Sequence, residues 1–177
     1  MCGDLIEFGC WEGKSTVAIA NACWPRRLIA VDSWQGNLAE GENHATVQLL
    51  KQRDVFADFC RNVHNLTRGN ITAFKMDCFD FLSRYHGSIA FCHIDAAHDY
   101  RSVHRAISLL LPSLVPGAIL CGDDFLTSHC GRTDLDGGVE RAVRELLPDV
   151  QNKANFWFWT KPKQRSLRRL LDKLRPR

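Results

Sequence analysis

Apolar residues in this chain gather into short runs of four to six positions, and the stretches between those runs repeat their apolar side chains at helical spacing. The runs Leu5 to Phe8, Arg27 to Val31, Ile71 to Lys75, Ile89 to Ile94, Ala118 to Cys121 and Phe156 to Thr160 read as strands. Between them, Ser15 to Cys23, His44 to Val63, Phe79 to Tyr85, Tyr100 to Leu111 and Gly138 to Leu147 read as helices. The segment from His44 to Val63 carries Val47, Leu50, Phe56, Phe59 and Val63 near one face, which predicts a single amphipathic helix. Ile89 to Ile94 has little polar interruption, as a strand covered on both faces should. Strands that alternate with helices predict βαβ units around a mostly parallel, doubly wound sheet with helices on both faces, an α/β fold. Gly-containing polar segments, Trp34 to Asn43 and Leu126 to Gly137, read as loops.

At 177 residues the chain suits one domain, expected over residues 1–162, followed by a basic tail over 163–177. An apolar fraction of 45% with 24% charged residues excludes disorder as the main state. No apolar run approaches the roughly 18 residues of a membrane span, and the N-terminus lacks a leader pattern, so the expected location is the cytoplasm. Eight cysteines are scattered without a C-x-x-C pair, and Cys92 and Cys121 fall in apolar runs, so they read as reduced and largely buried. The net charge of +3 hides an asymmetry: from Lys161 onward there are eight basic residues and one acid, +7, which leaves −4 for the rest. That distribution argues against a broad nucleic-acid-binding face on the domain. The tail places Leu167, Leu170, Leu171 and Leu174 near one helical face, and two uses stay open for it, contact with an anionic surface or docking on the fold.

Candidate chemistry begins where the first strand turns into the first helix, at Glu7-Phe8-Gly9-Cys10-Trp11-Glu12-Gly13. Glycines there let the backbone approach a ligand, and the helix N-terminus beyond offers unpaired N–H groups. A dinucleotide fingerprint starting at Gly9 needs glycines at positions 11 and 14, but the chain has Trp11 and Lys14, so NAD fits poorly and an NAD-dependent oxidoreductase is disfavoured. Asp32, 23 residues after Gly9 and at the end of the second strand, is placed to accept hydrogen bonds from ribose hydroxyls.

A second group of residues belongs to the later strands. Asp95 follows the fourth and Asp123-Asp124 the fifth, so three carboxylates should converge at the carboxyl edge, where open α/β sheets bind ligands. Clustered carboxylates repel unless a cation intervenes, and an all-oxygen set suits Mg²⁺ or another divalent ion. The alternative is that Asp123 or Asp124 caps a loop. His98, three residues after Asp95, can take a hydroxyl proton near neutral pH, or be a cofactor contact or a turn residue. His93 reads as a satisfied core histidine.

Four segments in order, Glu7 to Gly13, Val31-Asp32-Ser33-Trp34-Gln35-Gly36, His93-Ile94-Asp95-Ala96-Ala97-His98-Asp99-Tyr100 and Cys121-Gly122-Asp123-Asp124-Phe125, resemble class I S-adenosylmethionine-dependent methyltransferases of the methyltransferase-24 type, relatives of macrocin O-methyltransferase. The resemblance covers about residues 4–160 and implies a single Rossmann-like domain. It implies that Glu7, Gly9, Trp11, Gly13 and Ser15 surround the methionine part of the cofactor, Asp32 and Ser33 the ribose, and Asp77 with Cys78 the adenine, with Asp95 also at the cofactor. For Asp77 a helix N-cap is the competing role. Catechol O-methyltransferase-like relatives share the acid, base and acidic-pair layout but use lysine where this chain has His98. Macrocin-type relatives carry an aspartate where it has Ala97. The implied reaction is O-methyl transfer to a hydroxyl of a small sugar, polyol or catechol-like molecule, with Asp95, Asp123 and Asp124 holding a divalent metal and His98 and Asp95 at the reacting centre. A cofactor-binding module without turnover is the alternative. The chain begins almost on its first strand, so the wall that N-terminal helices often provide is expected from the Asn37 to Asn43 loop, the Leu126 to Gly137 loop or a second subunit of a homo-oligomer.

Overall fold

Successive side chains of a strand point to opposite faces, and here each face feeds its own core. The computed structural model describes residues 2–36, 45–126 and 137–163, so the Asn37–Asn43 segment, most of the second loop and the tail beyond residue 163 lie outside the described residues. The elements in chain order are β1 (Asp4–Phe8), α1 (Lys14–Cys23), β2 (Leu28–Asp32), α2 (Ala45–Leu50), α3 (Val55–Leu66), β3 (Ile71–Lys75), α4 (Cys78–Arg84), β4 (Ile89–Ile94), α5 (Tyr100–Leu110), β5 (Leu114–Gly122), α6 (Gly138–Leu146), β6 (Gln151–Lys153) and β7 (Phe156–Thr160). They build one seven-stranded sheet in the order β3-β2-β1-β4-β5-β7-β6. The first five strands run parallel, and β7 and β6 are antiparallel additions at the β5 edge. The expected α/β, Rossmann-like architecture is therefore present. None of the described helices is long and apolar enough to cross a membrane.

One face presents Ile6, Phe8, Cys92, Ile94, Leu120, Trp157 and Trp159 to α4, α5 and α6, which bring Phe81, Val103, Ile107, Leu110, Val139 and Val143. The opposite face presents Leu5, Leu28 and Ala30 to α1 and α3, where Ala20, Val55 and Phe59 are buried. Trp34 joins this second core, its ring 4.6 Å from Phe56 and 4.8 Å from Phe59.

Three boundaries differ from the sequence expectation, each for a local reason. The single helix expected over His44 to Val63 is two helices, α2 and α3, because Asp54 caps a new start: its carboxylate accepts the Ala57 N–H at 3.0 Å. Arg53, in the break, pairs with Glu12 and Asp58. β5 begins at Leu114 rather than Ala118, since the strand continues through Pro116-Gly117, with an irregular step in its pairing to β4 between Ile89 and Phe91. Pro-Gly reads as a turn in sequence, but Gly117 donates its N–H to Lys161 O and so keeps the pairing going. β6 has no apolar residue, so it left no pattern to read.

Gly122 closes β5 with the Trp157 indole lying against it. A Cβ there would stand 2.8 Å from two indole carbons and overlap the Ile94 carbonyl oxygen. Gly122→Ala is therefore expected to cost about 1–3 kcal/mol of folding free energy as overpacking. Denaturant unfolding measures it, and an unchanged midpoint would contradict the packing described.

Candidate active site

The ends of three strands meet at Gly9. Its N–H donates to Val31 O at 3.0 Å, and the Asp95 N–H donates to Phe8 O at 2.8 Å. With φ +82°, Gly9 lies in the left-handed region, and any Cβ at this position would overlap the Asp95 carbonyl. The turn then passes Trp11, itself left-handed at φ 46°, and reaches Gly13, the N-cap of α1 at φ 87°. No side chain caps α1, so the first-turn N–H groups around Ser15 face the turn with only a glycine before them.

Asp32 holds this turn in shape. Its Oδ2 accepts the Cys10 N–H at 2.7 Å and the Trp11 N–H at 2.9 Å, and its Oδ1 accepts the Trp34 N–H at 2.6 Å. A carboxylate offers about four acceptor sites, so most of its capacity goes to the backbone, a task the sequence reading did not assign. Trp34, also left-handed at φ 51°, donates its indole N–H to Trp11 O at 2.8 Å and ties the two left-handed residues together. Ser33 accepts the Gln35 N–H at 3.2 Å within the same turn. Left-handed non-glycine residues are costly and gather at functional sites. Asp77 is the N-cap of α4, accepting the Phe79 and Asp80 N–H groups at 2.7 and 3.3 Å, so the capping role is present. Cys78 follows it with a thiol pushed up to about 12 by burial and by the Asp77 charge, so it is a neutral thiol and not a nucleophile.

Glu7 is fully buried inside β1, and its Oε1 lies 3.2 Å from the Nδ1 of buried His93, its register partner on β4. Its Oε2, and Thr16 Oγ1 on α1, are buried without a protein partner. Burial opposes protonation of His93, but the bond and charge of Glu7, with Asp95 and Asp123 beyond, outweigh it and raise the imidazole pKa. The sequence reading placed both residues but not their pairing. The signal was there: each sits two residues before a site residue, Gly9 or Asp95, on strands that turn out to be neighbours.

At the β4–β5 end, His98 Nε2 lies 2.9 Å from Asp124 Oδ2 and 3.9 Å from Asp95 Oδ1. One ligand atom from each of Asp95, His98 and Asp124 lies within 4.8 Å of the others. Of the three expected aspartates, Asp95 and Asp124 come together with His98, while Asp123 stays at the same edge, exposed, with its Oδ1 accepting the Asp124 N–H at 2.9 Å. Asp124, at φ 57°, turns back toward His98. Two carboxylate oxygens alone suit Mg²⁺ or Mn²⁺, and the addition of the imidazole nitrogen, when neutral, favours Mn²⁺ and later first-row ions over Mg²⁺. Asp99 fixes the start of α5, right after His98, by accepting the Ser102 N–H at 3.0 Å. Burial works against its charge, but this and neighbouring backbone bonds hold its carboxyl below the usual range. A separate open cleft of about 710 Å³, with Trp34, Phe56, Lys51 and Lys75 in its lining, is bordered neither by Gly9–Gly13 nor by the triad.

The model of a family described as a methyltransferase domain matches residues 6–125, which contain both the turn and the acids. The chain is 25% identical over 185 residues, 93% of its length and 69% of the relative's, to the 8-demethyl-8-(2,3-dimethoxy-α-L-rhamnosyl)-tetracenomycin-C 4'-O-methyltransferase of Streptomyces olivaceus. Among solved structures it is similar to the O-methyltransferase NovP, with TM-score 0.64 and 20% identity, covering 92% of this chain and 73% of that one. It is also similar to the O-methyltransferase TomG from Streptomyces achromogenes in complex with SAM, with TM-score 0.62 and 15% identity, covering 90% and 73%. At these identities the two structures speak for the fold.

The Glu7–His93 pair makes stability depend on pH. With the folded-state pKa of His93 above its ordinary value of 6.5, the pair's contribution is complete below 6.5 and is lost as pH rises through the raised value. In metal-free protein, denaturant unfolding between about pH 5.5 and 9 should show that loss for the parent chain and not for His93→Gln. Equal pH slopes in both would contradict the pairing.

Proposed function

The chain belongs to the methyltransferase-domain family, and from that premise we propose that it methylates a hydroxyl of a small sugar or polyol, using S-adenosylmethionine and assisted by a divalent cation. The observation that carries the proposal is the backbone contact between Gly9 and Asp95, which brings the glycine turn beside the cluster of Asp95, His98 and Asp124. The turn fits an adenosyl ligand without a pyrophosphate: Trp11 and Lys14 stand where a dinucleotide fold needs glycines. Glu7, Gly9, Trp11, Gly13 and Ser15 would hold the methionine part, Asp32 and Ser33 the ribose, and Asp77 with Cys78 the adenine. The buried Glu7 Oε2 and Thr16 Oγ1, both without a protein partner, and the uncapped N-terminus of α1 suit an ammonium and a carboxylate.

When bound, the cofactor would supply an electrophilic methyl carbon, and a cation held by Asp95 and Asp124, with Asp123 at the same edge, would supply charge that orients and acidifies the acceptor hydroxyl, which leaves the His98 imidazole to act as a base. The remaining work is positioning. His98, braced by Asp124 as a catalytic histidine is braced by its acid, is the residue to take the hydroxyl proton. The sugar acceptor is supported by the rhamnosyl group in the name of the Streptomyces olivaceus relative. A cofactor-binding module without turnover is the second reading, and the joined triad favours turnover over it. All seven described cysteines are free thiols, which supports a cytoplasmic setting.

The test is release of S-adenosylhomocysteine across a panel of free and activated sugars, with and without chelator. His98→Ala is expected to lower the rate about 10²- to 10⁴-fold with cofactor affinity little changed. Asp95→Asn and Asp124→Asn are expected to abolish metal-stimulated transfer and to weaken Mn²⁺ binding to the protein alone. Full activity in excess chelator would remove the metal, and an unchanged rate in His98→Ala would remove the base.

A further inference from the structure

Two tryptophans of β7 enter the same core, and their indole N–H groups fare differently. Trp159 donates its N–H to Pro148 O at 2.8 Å. Trp157 is 1% exposed, and its Nε1 is buried without a hydrogen-bond partner among the described residues. A buried donor left unpaired is costly, and native cores rarely keep one. The sheet sets where this donor lies. Trp157 is the register partner of Gly122, and its Cε2, the carbon that carries Nε1, stands 2.8 Å from where a Gly122 Cβ would be. Gly122 is followed directly by Asp123, and its partner across the sheet, Ile94, by Asp95. The indole nitrogen is therefore held beneath the ends of the two strands that lead into the acids. A largely enclosed cavity of about 10 Å³ lies there, roughly the space that one water requires. Trp157 lines it together with Asp95, His98 and Asp123, and Val103 and Val139 close its apolar side.

We infer that this cavity is the site of one ordered water, which accepts the Trp157 indole N–H and donates to oxygens of Asp95 and Asp123. The size and chemistry of the wall select water. The space is too small for the cofactor or an acceptor molecule, and an N–H donor repels a cation. Water can accept from the indole and donate to oxygens at one point. A buried water needs roughly two to four polar partners, and the wall offers them. Asp123 Oδ1 already accepts the Asp124 N–H, and a carboxylate, with about four acceptor sites, has capacity left for a further bond. The bridge ties β7 to the acids that follow β4 and β5. Trp157 is thereby a positioning residue, restraining Asp95 and Asp123 without touching the substrate. That role rests on the methyl transfer proposed above, whereas the water site does not.

Proton NMR of the full chain tests the site without reference to catalysis. The Trp157 indole proton, assigned by its loss in Trp157→Phe, should show Overhauser contacts at the water frequency. Their sign should be opposite in the laboratory and rotating frames, the signature of a long-lived bound water rather than of proton exchange. If Trp157→Phe does not fold, replacement of Trp157 by its benzothiophene isostere keeps the ring shape and removes only the donor. Either change should lower kcat about tenfold, with S-adenosylhomocysteine affinity changed less than about twofold. Trp159→Phe, which removes a satisfied donor from the same core, should lower the melting temperature and leave kcat unchanged. Absence of the water signal in folded protein overturns the inference. Unchanged kcat in the isostere, or an equal loss of kcat in Trp159→Phe, overturns the positioning role. A parent chain that methylates no acceptor would fail the proposed function instead, and the spectrum would still decide the water site.

Discussion

The structure depends on a contact that leaves no space for a side chain. Gly9 lies against the Asp95 carbonyl, in a backbone conformation that glycine alone adopts at little cost, while its own N–H donates to Val31 O and the Asp95 N–H donates to Phe8 O. The turn after β1 and the loop after β4 are thereby joined through backbone rather than through long, mobile side chains. Asp32 braces the same turn from β2 with three N–H acceptances. In methyl transfer the protein contributes chiefly alignment of donor and acceptor, and an angstrom of misplacement is expensive. A distance fixed by main-chain contact suits that demand.

The two halves of the site are linked beneath the surface as well. Glu7 and His93 form a buried pair on adjacent strands, each two residues below Gly9 or Asp95, and the charges of Asp95 and Asp123 bear on the same imidazole. Above them, His98 draws Asp95 and Asp124 together, while Asp123 shapes the turn by accepting the Asp124 N–H. Residue types that look interchangeable in sequence, two neighbouring aspartates, are thus separated into a partner of His98 and a turn former by one left-handed backbone step at Asp124.

Much of this was legible in the sequence, because periodicity carries strand and helix identity and the turn glycines carry their own geometry. Strand positions, the loss of a dinucleotide fingerprint at Trp11 and Lys14, and the convergence of Asp95 with the acids after β5 all follow from local pattern plus the rule that parallel strands present their carboxyl ends together. What escaped depends on competition or on register. Asp54 interrupts an otherwise continuous helical stripe because a good cap outweighs propensity there. β6 is wholly polar, and the His98–Asp124 and Glu7–His93 pairs require knowing which strands are neighbours. The FWFW run of β7 is apolar at every position and reads only as a strand, yet its two faces have different fates, a difference set by which helices reach them.

The central claim is that the turn from Gly9 to Gly13, held by Asp32 and backed by Glu7, is an S-adenosylmethionine site. Calorimetric titration of the folded chain with S-adenosylhomocysteine addresses it most directly, since binding needs neither acceptor nor metal. The account predicts saturable heat at one site per chain, with NAD giving far weaker binding. No heat with either S-adenosylhomocysteine or S-adenosylmethionine, in protein shown to be folded, would contradict it.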